Sequence, residues 1–499
     1  MIPLEIVFRR FVESSEIKSD IDALCAQLSL LESVRSVGRV CGVIGSVIEV
    51  EGLSHQARLG DQVRIYRRNA DLLVGEVIQF SPDVLSVLPE KDLAGVSLGD
   101  RVALCHPAQV APCSAWIGRI LDPFGQPLDG RPLRSGSSPR DLRAEPPPAV
   151  TRKPLGARLE TGMAVFNTML PIARGQRLGL FAGSGVGKSN LLGHLGRAMQ
   201  ADVVVFALIG ERGRELRDFV ENTLGPEGMA RAIIVAATSD QSPLTRRRCA
   251  WTAMCIAEYF RDAGQHVLFL ADSITRFAEA HREVAVAGGE LPALRGFPAS
   301  TAHMIMALCE RAGPGIDGAG DITALMSVLV AGSDMDEPVA DILRGVLDGH
   351  VVLEREIAER GRFPAIDLLR SVSRSLPRAA NDAENELIAQ ARSLLGTYAK
   401  SEPMIRAGLY VHGSDPVLDE AIRIWGDLDA FIGEKEPVSV GNSFQRLALL
   451  LRRAARDRPQ GQQRSSTLPA RGRPSRPSAP ATSAQAGAHR IAQVSDDDV

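Results

Sequence analysis

The stretch Leu180 to Leu192, LFAGSGVGKSNLL, leaves a chain few ways to fold. An apolar run, RLGLF, ends in a glycine-rich loop, and a helical stretch, NLLGHLGRAM, follows at once. Strand, loop and helix in that order build a phosphate-cradling turn at the edge of a parallel sheet. Gly183, Gly185 and Gly187 let backbone N–H groups approach phosphate oxygens, and Ser184, Val186 and Asn190 belong to the same nucleotide-binding stretch. Lys188 would supply charge to the β and γ phosphates, and the Ser189 hydroxyl would be the Mg²⁺ ligand. The helix adds its positive dipole end. The strict pattern begins with Gly where this chain has Ala182, a strand-end position that accepts a methyl pointing away from the phosphates. An incidental Lys-Ser in a turn is the competing reading, and the flanking strand and helix weigh against it.

At 499 residues the chain has room for about three domains and a sizeable core. A net charge of −3 argues against wholesale binding to nucleic acid or anionic membrane. No run of about 18 apolar residues occurs, and in MIPLEIVFRR the charges follow the apolar residues, the reverse of a signal peptide. Seven scattered cysteines with no CxxC pair read as small apolar residues of a reduced, soluble, cytoplasmic protein.

Five regions follow from periodicity. In 1–34, Ile17, Ile21, Leu24, Leu28 and Leu31 form one stripe of an amphipathic helix, which either caps the next domain or presents a face to a partner. In 35–106, short β-rich runs between Gly, Asp, Asn and Pro predict a small β-barrel. It has few aromatics, which argues against stacking on single-stranded bases. Residues 107–379 open with a Pro- and Gly-rich connector and continue as strands alternating with helices, the pattern of a parallel sheet covered on both faces. Residues 380–456 turn helical. Residues 457–499, rich in Pro, Ser, Arg, Gln and Ala, lack the apolar residues to offset ordering entropy and are expected to be disordered.

A nucleotide site also needs a carboxylate near Mg²⁺ and a group to orient water. The apolar run HVLFL leads to Asp272 at the crevice end of a parallel strand, where it would hold the metal, although an Asp there could instead cap the helix SITRFAEAHREVA. The run DVVVFALIG delivers Glu211 and Arg212 to the same edge, where Glu211 could polarise the attacking water. Taken alone, that Glu is equally a solvated residue at a helix start.

Several segments together resemble one family: ETGMAVFNTMLPIARGQRLGLFAGSGVGKS, IGERGRELRDF, ADSITRFAEAHREVA, GELPALRGFPAS, LDGHVVLEREIAERGRFPAIDLLRSVSR and DPVLDEAI. Over about Arg35 to Arg453 the chain is similar to the flagellar and type III secretion export ATPases, relatives of the rotary ATP synthase α and β subunits. The resemblance implies an α/β P-loop NTPase (RecA-like) core with an N-terminal β-barrel and a C-terminal helical domain. It assigns Lys188 and Ser189 to phosphate and Mg²⁺, Glu211 to catalysis with Arg212 beside it, and Asp272 to the Walker B aspartate. It places Arg374, in SVSR, as an arginine finger reaching the neighbouring subunit's site, and Phe363 where an aromatic, usually Tyr, stacks on adenine. Glu337 stands where the family usually has Asp, and no role rests on it.

Glu211 and Arg374 in one chain imply a homohexamer in which each subunit completes the next one's site. The implied activity is Mg²⁺-dependent ATP hydrolysis energising flagellar protein export, in the cytoplasm and peripherally at the inner-membrane export apparatus. The injectisome ATPase of type III secretion, or a catalytic-type rotary subunit, is the alternative. The implied partners are a stator-like regulator on the N-terminal helix, a central stalk-like protein, export chaperone–substrate complexes and the export gate, with no nucleic acid. A ring-shaped RNA translocase would share the core, but its amino domain should carry aromatics and basic stripes that the barrel lacks.

Overall fold

The computed structural model describes residues 34–456, apart from 69, 106 and 331–334, together with 21, 22, 24, 25 and 28. Ile21, Leu24 and Leu28 of the amphipathic stripe are helical and exposed, whereas Ile17, Leu31 and the tail 457–499 lie outside the described residues.

Six short strands close into a barrel: β1 (Val37–Ile44), β2 (Val47–Glu51), β3 (Gln62–Tyr66), β4 (Leu73–Phe80), β5 (Val84–Pro89) and β6 (Arg101–Cys105), in the order β1-β2-β5-β4-β3-β6. Val37↔Ala103 and Arg39↔Arg101 pairs between β1 and β6 seal it. Alternation does the sorting: Ile48, Val50, Val63, Ile65, Leu85 and Val87 point inward and are fully buried. The run RVCGVIGSVIEV is a hairpin, turning at Gly45, whose φ is 59°.

The central sheet comprises β7 (Ile120–Leu121), β8 (Arg177–Ala182), β9 (Val203–Glu211), β10 (Ala232–Thr238), β11 (His266–Asp272), β12 (Asp321–Leu329), β13 (Gly349–Leu353) and β14 (Ile366–Ser373). Their order across the sheet is β14-β13-β8-β12-β11-β9-β10-β7, and Gly313–Pro314 adds a short antiparallel pairing to β12. All the main pairings are parallel except β14 on β13. These strands read as near-continuous Val, Ile and Leu because both faces are covered. Leu180, Val204, Phe206 and Leu208 face one apolar cluster; Phe181, Val203, Val205 and Ala207 face the other.

Helices supply the covers. α1 (Lys188–Ala198) lies on the first face, and at Gly193 an added Cβ would stand 2.3 Å from Thr223 Cγ2, so glycine permits the close approach of the neighbouring segment. α2 (Pro243–Asp262), α3 (Ile274–Ala287), α4 (Ser300–Arg311) and α5 (Pro338–Val346) contribute buried residues to the second face. α2 starts where its sequence says it should, at Ser242 with Pro243 following, the Ser hydroxyl accepting from Thr245 N.

Three helices end the described chain: α6 (Asp382–Arg406), α7 (Pro416–Gly433) and α8 (Val440–Arg456). Asn381 and Glu384 form a capping box on α6, and the Asp415 carboxylate caps α7 through Val417 N and Leu418 N. Phe444, Leu447 and Leu451 recur at helical spacing on α8 and are buried, each contributing about 1.5–3 kcal/mol. Arg392 ties α6 to the core through the carbonyls of Met169, Leu368 and Ser371.

Buried cysteines fill core volume: burial pushes the Cys249, Cys255 and Cys309 thiols up, and none of the seven cysteines is in a disulfide. Among the described residues no helix is long and apolar enough to cross a membrane.

The barrel is fastened to the nucleotide core by a buried charge relay. Glu76 of β4 accepts from Arg247 Nη2 of α2 at 2.8 Å, and Arg248 pairs with Glu90 at 3.0 Å. Arg247 Nη1 lies 3.3 Å from His281 Nδ1, His281 Nε2 lies 2.8 Å from Ser300 Oγ, and Ser300 Oγ donates to Glu290 at 2.6 Å. Burial, with Arg247 beside it, lowers the His281 pKa to about 4, so the ring is neutral: Nδ1 accepts and Nε2 donates. Glu76→Ala would leave Arg247 buried without a carboxylate. The expected loss of stability is about 3–5 kcal/mol, read as a fall in the urea midpoint. Arg143→Ala, which removes a half-exposed partner of the same carboxylate, should cost about 1 kcal/mol or less through its ion pair. Equal midpoints for the two variants would refute the relay.

Candidate active site

β8 ends at Ala182, whose register neighbours are Leu329 on one side and Leu353 on the other. Its methyl is buried in the apolar cluster, so the departure from Gly takes no space from the loop beyond it. Val186 is buried and anchors the loop, while Ser184, Gly185, Ser189 and Asn190 are exposed around it. Gly187 takes φ 84°, a left-handed conformation that glycine adopts without strain, and hands the chain directly to α1. No side chain caps α1, which leaves its first-turn N–H groups for an anion.

The Lys188 ammonium donates to Asp272 Oδ1, and Ser327 Oγ donates to the same oxygen at 2.8 Å. Strand order explains the meeting: β12, which carries Ser327, runs between β8 and β11. The capping role that Asp272 might have filled belongs to Ser273, whose side chain accepts from Arg276 N. Asp272 is therefore buried without serving the helix that follows it.

Glu211 closes β9 on the other side of β11. Its carboxyl pKa is raised to about 7, first by burial and then by the Asp272 charge, against the lowering pull of Lys188 and with a further upward push from Glu215. A cleft of about 150 Å³ is bordered by Ser189, Asn190, Glu211, Glu215 and Asp272. Arg212 lies outside that lining, 79% exposed along its side chain and 3.3 Å from Glu215. The Ser189 hydroxyl and the Asp272 carboxylate border the same cleft and are hard oxygen donors of the kind that Mg²⁺ takes, and the uncapped α1 fits phosphate.

Phe363 is 52% exposed and reaches the loop from the far side of β13: a Cβ built on Gly187 would meet its ring at 3.1 Å. Arg374 does not join this group. Ser373 pairs with Gly349 at the start of β13, whereas the P-loop end of β8 pairs with Leu353, four residues on and about 13 Å away along the strand. Its guanidinium donates to the carbonyls of Leu347 (3.1 Å) and Arg344 (3.2 Å) at the end of α5.

One chain thus brings together the loop Gly183–Asn190, Glu211, Asp272 and Phe363, and carries Arg374 elsewhere. Two neighbours escaped the sequence reading. Glu215 was hidden in the alternating charges of ERGRELRDFVEN, although it stands only four residues beyond Glu211, in the helical turn that follows the strand. Ser327 was a lone hydroxyl in ITALMSVLVA, legible only with knowledge that β12 lies beside β11. The cleft wall is also unusual in backbone: Phe219–Leu224 form a π-helical turn, and Phe219 and Thr223 line the cleft.

The nucleotide-binding domain of the ATP synthase alpha/beta family matches residues 162–373, and the C-terminal domain of the T3SS EscN ATPase matches residues 380–448. The flagellum-specific ATP synthase of Caulobacter vibrioides is 44% identical over 438 residues, spanning 86% of this chain and 99% of its own length. That of Salmonella typhimurium is 42% identical over 443 residues, spanning 86% and 97%. Among solved structures, the assembled ATPase EscN of the enteropathogenic E. coli type III secretion system superposes with a TM-score of 0.77 at 35% identity, covering 83% of this chain and all of that one. EscN in complex with its central stalk EscO gives 0.75 over the same share.

Gly187→Ala tests the loop. The positive φ costs a Cβ-bearing residue about 1–2 kcal/mol, and the added methyl meets the Phe363 ring. Affinity for a fluorescent ADP analogue should fall by about tenfold or more. Unchanged affinity in Gly187→Ala would contradict the loop geometry.

Proposed function

From the premise that the chain belongs to the ATP synthase alpha/beta family, among its flagellar and type III export ATPases, we propose that it works as a homohexamer whose sites are each built by two subunits. The chain is an export ATPase. The observation that carries the shared site is the placement of Arg374: the chain holds Lys188, Glu211 and Asp272 together but keeps Arg374 at the other end of the sheet, turned away from its own cleft. The assembled state of the EscN relative supports a ring. We assign the flagellar system because identity to flagellum-specific relatives, 44% and 42%, exceeds the 35% to EscN. The injectisome remains the second reading.

In the proposed reaction, phosphate oxygens of ATP draw Lys188 off Asp272, and the loop N–H groups from Gly183 to Asn190 hold the remaining oxygens. Ser189 and Asp272 would hold Mg²⁺, which would supply charge neutralisation to the phosphates. Glu211, at the mouth of the cleft, orients the water and accepts its proton, and the raised pKa suits a base working near neutrality. Phe363 offers its exposed ring face to adenine, stacking without the hydroxyl of a Tyr. Arg212, paired with Glu215, keeps that carboxylate at the cleft edge. Arg374 of the adjoining subunit leaves the carbonyls at the end of α5 and meets the charge that develops on the transferring phosphoryl group.

The same proposal places domain boundaries at 34/35, 106/107, 379/380 and 456/457, supported by the grouping of barrel strands, core strands and end helices. It assigns the exposed Ile21, Leu24 and Leu28 to a stator-like regulator and the ring centre to a stalk-like protein, as in the EscN–EscO complex. Chaperone–substrate complexes and the export gate are the remaining partners, met in the cytoplasm at the inner-membrane apparatus.

Arg374→Ala should lower kcat by about 10³- to 10⁵-fold, or about 4–7 kcal/mol of barrier. Lys188→Ala should be inactive as well. Mixing the two should restore hydrolysis, because some interfaces then join an intact Lys188 to an intact Arg374. Silence from a mixture that assembles into rings would count against the shared site.

A pH profile examines the base. Because Glu211 acts as carboxylate and its pKa lies near 7 in the free enzyme, kcat/KM should rise as pH passes through about 7. Glu215→Gln removes one of the charges that raise this pKa, so the rising limb should move to lower pH. A limb that stays put, or moves upward, would exclude Glu211 as its source.

A further inference from the structure

Ser327 lies in β12, between the strand that ends in the P-loop and the strand that ends in Asp272. Leu180 of β8 pairs with Ser327 itself, and Ala271 of β11 pairs with Met326, so the register sets the hydroxyl beside the aspartate. The side chain is fully buried, and its Oγ donates to Asp272 Oδ1 at 2.8 Å. The rest of β12 around it, Ala324, Leu325, Met326 and Val328, is apolar and equally buried. In that setting a hydroxyl has a cost unless a partner answers it, and the partner here is a carboxylate.

We propose that Ser327 is a positioning residue for Asp272 in the nucleotide-loaded site. This rests on the reading that Asp272 is the metal-side carboxylate. Asp272 Oδ1 takes two donors, Lys188 and Ser327, which differ in one respect. Lys188 has a long flexible stem at the start of α1 and follows phosphate oxygens when they arrive. Ser327 is fixed by a strand hydrogen-bonded on both edges and cannot follow. When Lys188 departs, the donor from β12 stays, and a carboxylate as buried as Asp272 keeps its orientation through that contact. Both donors occupy Oδ1, so the arrangement leaves Oδ2 as the oxygen they do not engage. The hydroxyl therefore acts on the metal through the ligand it orients, as outer-shell donors do.

The test uses the full-length protein, ADP and Mn²⁺ as the metal probe, with binding of Mn²⁺ to the protein–ADP complex followed by electron paramagnetic resonance. Ser327→Ala should weaken Mn²⁺ binding by about tenfold, while Ser327→Thr, which keeps the hydroxyl on a strand-compatible side chain, should stay within about twofold of the parent. ADP affinity without metal should be unchanged in both, since Lys188 and the loop are intact. Ser327→Cys keeps the shape with a far weaker donor and should follow Ala, which separates the hydrogen bond from any cavity left by the smaller side chain. Mn²⁺ binding by Ser327→Ala equal to the parent's would overturn the inference. Asp272→Asn tells the two levels apart: if it also binds Mn²⁺ like the parent, the reading of Asp272 fails, whereas if only Asp272→Asn is impaired, the positioning role alone fails.

Discussion

The buried contact between Lys188 and Asp272 is the interaction on which the rest of the structure depends. A lysine at the start of one helix and an aspartate at the end of a strand two places away can meet only if β8, β12 and β11 run side by side in the same direction. That arrangement requires right-handed crossovers and helices on both faces. It also requires Gly187 to turn sharply and Ala182 to end its strand with a methyl in the core. Buried charges of opposite sign are tolerable when each satisfies the other, and costly when one partner is removed. Lys188 and Asp272 satisfy each other's charge in this way.

A second buried charge group does different work. Glu76, Arg247, His281, Ser300 and Glu290 form a hydrogen-bonded chain in which Arg247 donates both to Glu76 and to His281, and His281 and Ser300 pass the direction on to Glu290, from a barrel strand through α2 and α3 to the segment before α4. An apolar contact of similar area would hold the barrel as firmly. It would not specify one orientation, because apolar packing lacks the directionality of a guanidinium fork on a carboxylate. The Arg247 guanidinium also lies over the Trp251 ring, 4.9 Å from its centroid, which adds cation–π attraction to the same fixed geometry.

Much of this was legible from residues alone. The parallel strands announced themselves as short apolar runs, the barrel as β-rich segments broken by Gly and Asp, and the C-terminal helices as stripes at helical spacing. The P-loop, Glu211 and Asp272 stood at strand ends, where a doubly covered sheet presents its ligands. What could not be read was adjacency across the sheet. β14, antiparallel to its neighbour, and Ser327, important only because β12 lies between two functional strands, depend on strand order, and order is a long-range property that no local spacing encodes. Glu215 was masked for another reason: its neighbours Arg212, Arg214 and Arg217 make it look like one charge on a solvated face. The contact of Phe363 with Gly187 likewise joins positions 176 apart in the chain.

Arg374 rests on the carbonyls at the end of α5, at the far end of the strands from its own P-loop. In the proposed ring this has a consequence for the economy of the cell. A newly made chain, or one that has left the ring, can bind fuel but is poorly equipped to burn it, so unassembled copies do not drain the nucleotide pool. Turnover is confined to places where enough copies gather, which ties fuel consumption to the location of the assembled machine with no inhibitor needed to silence the rest.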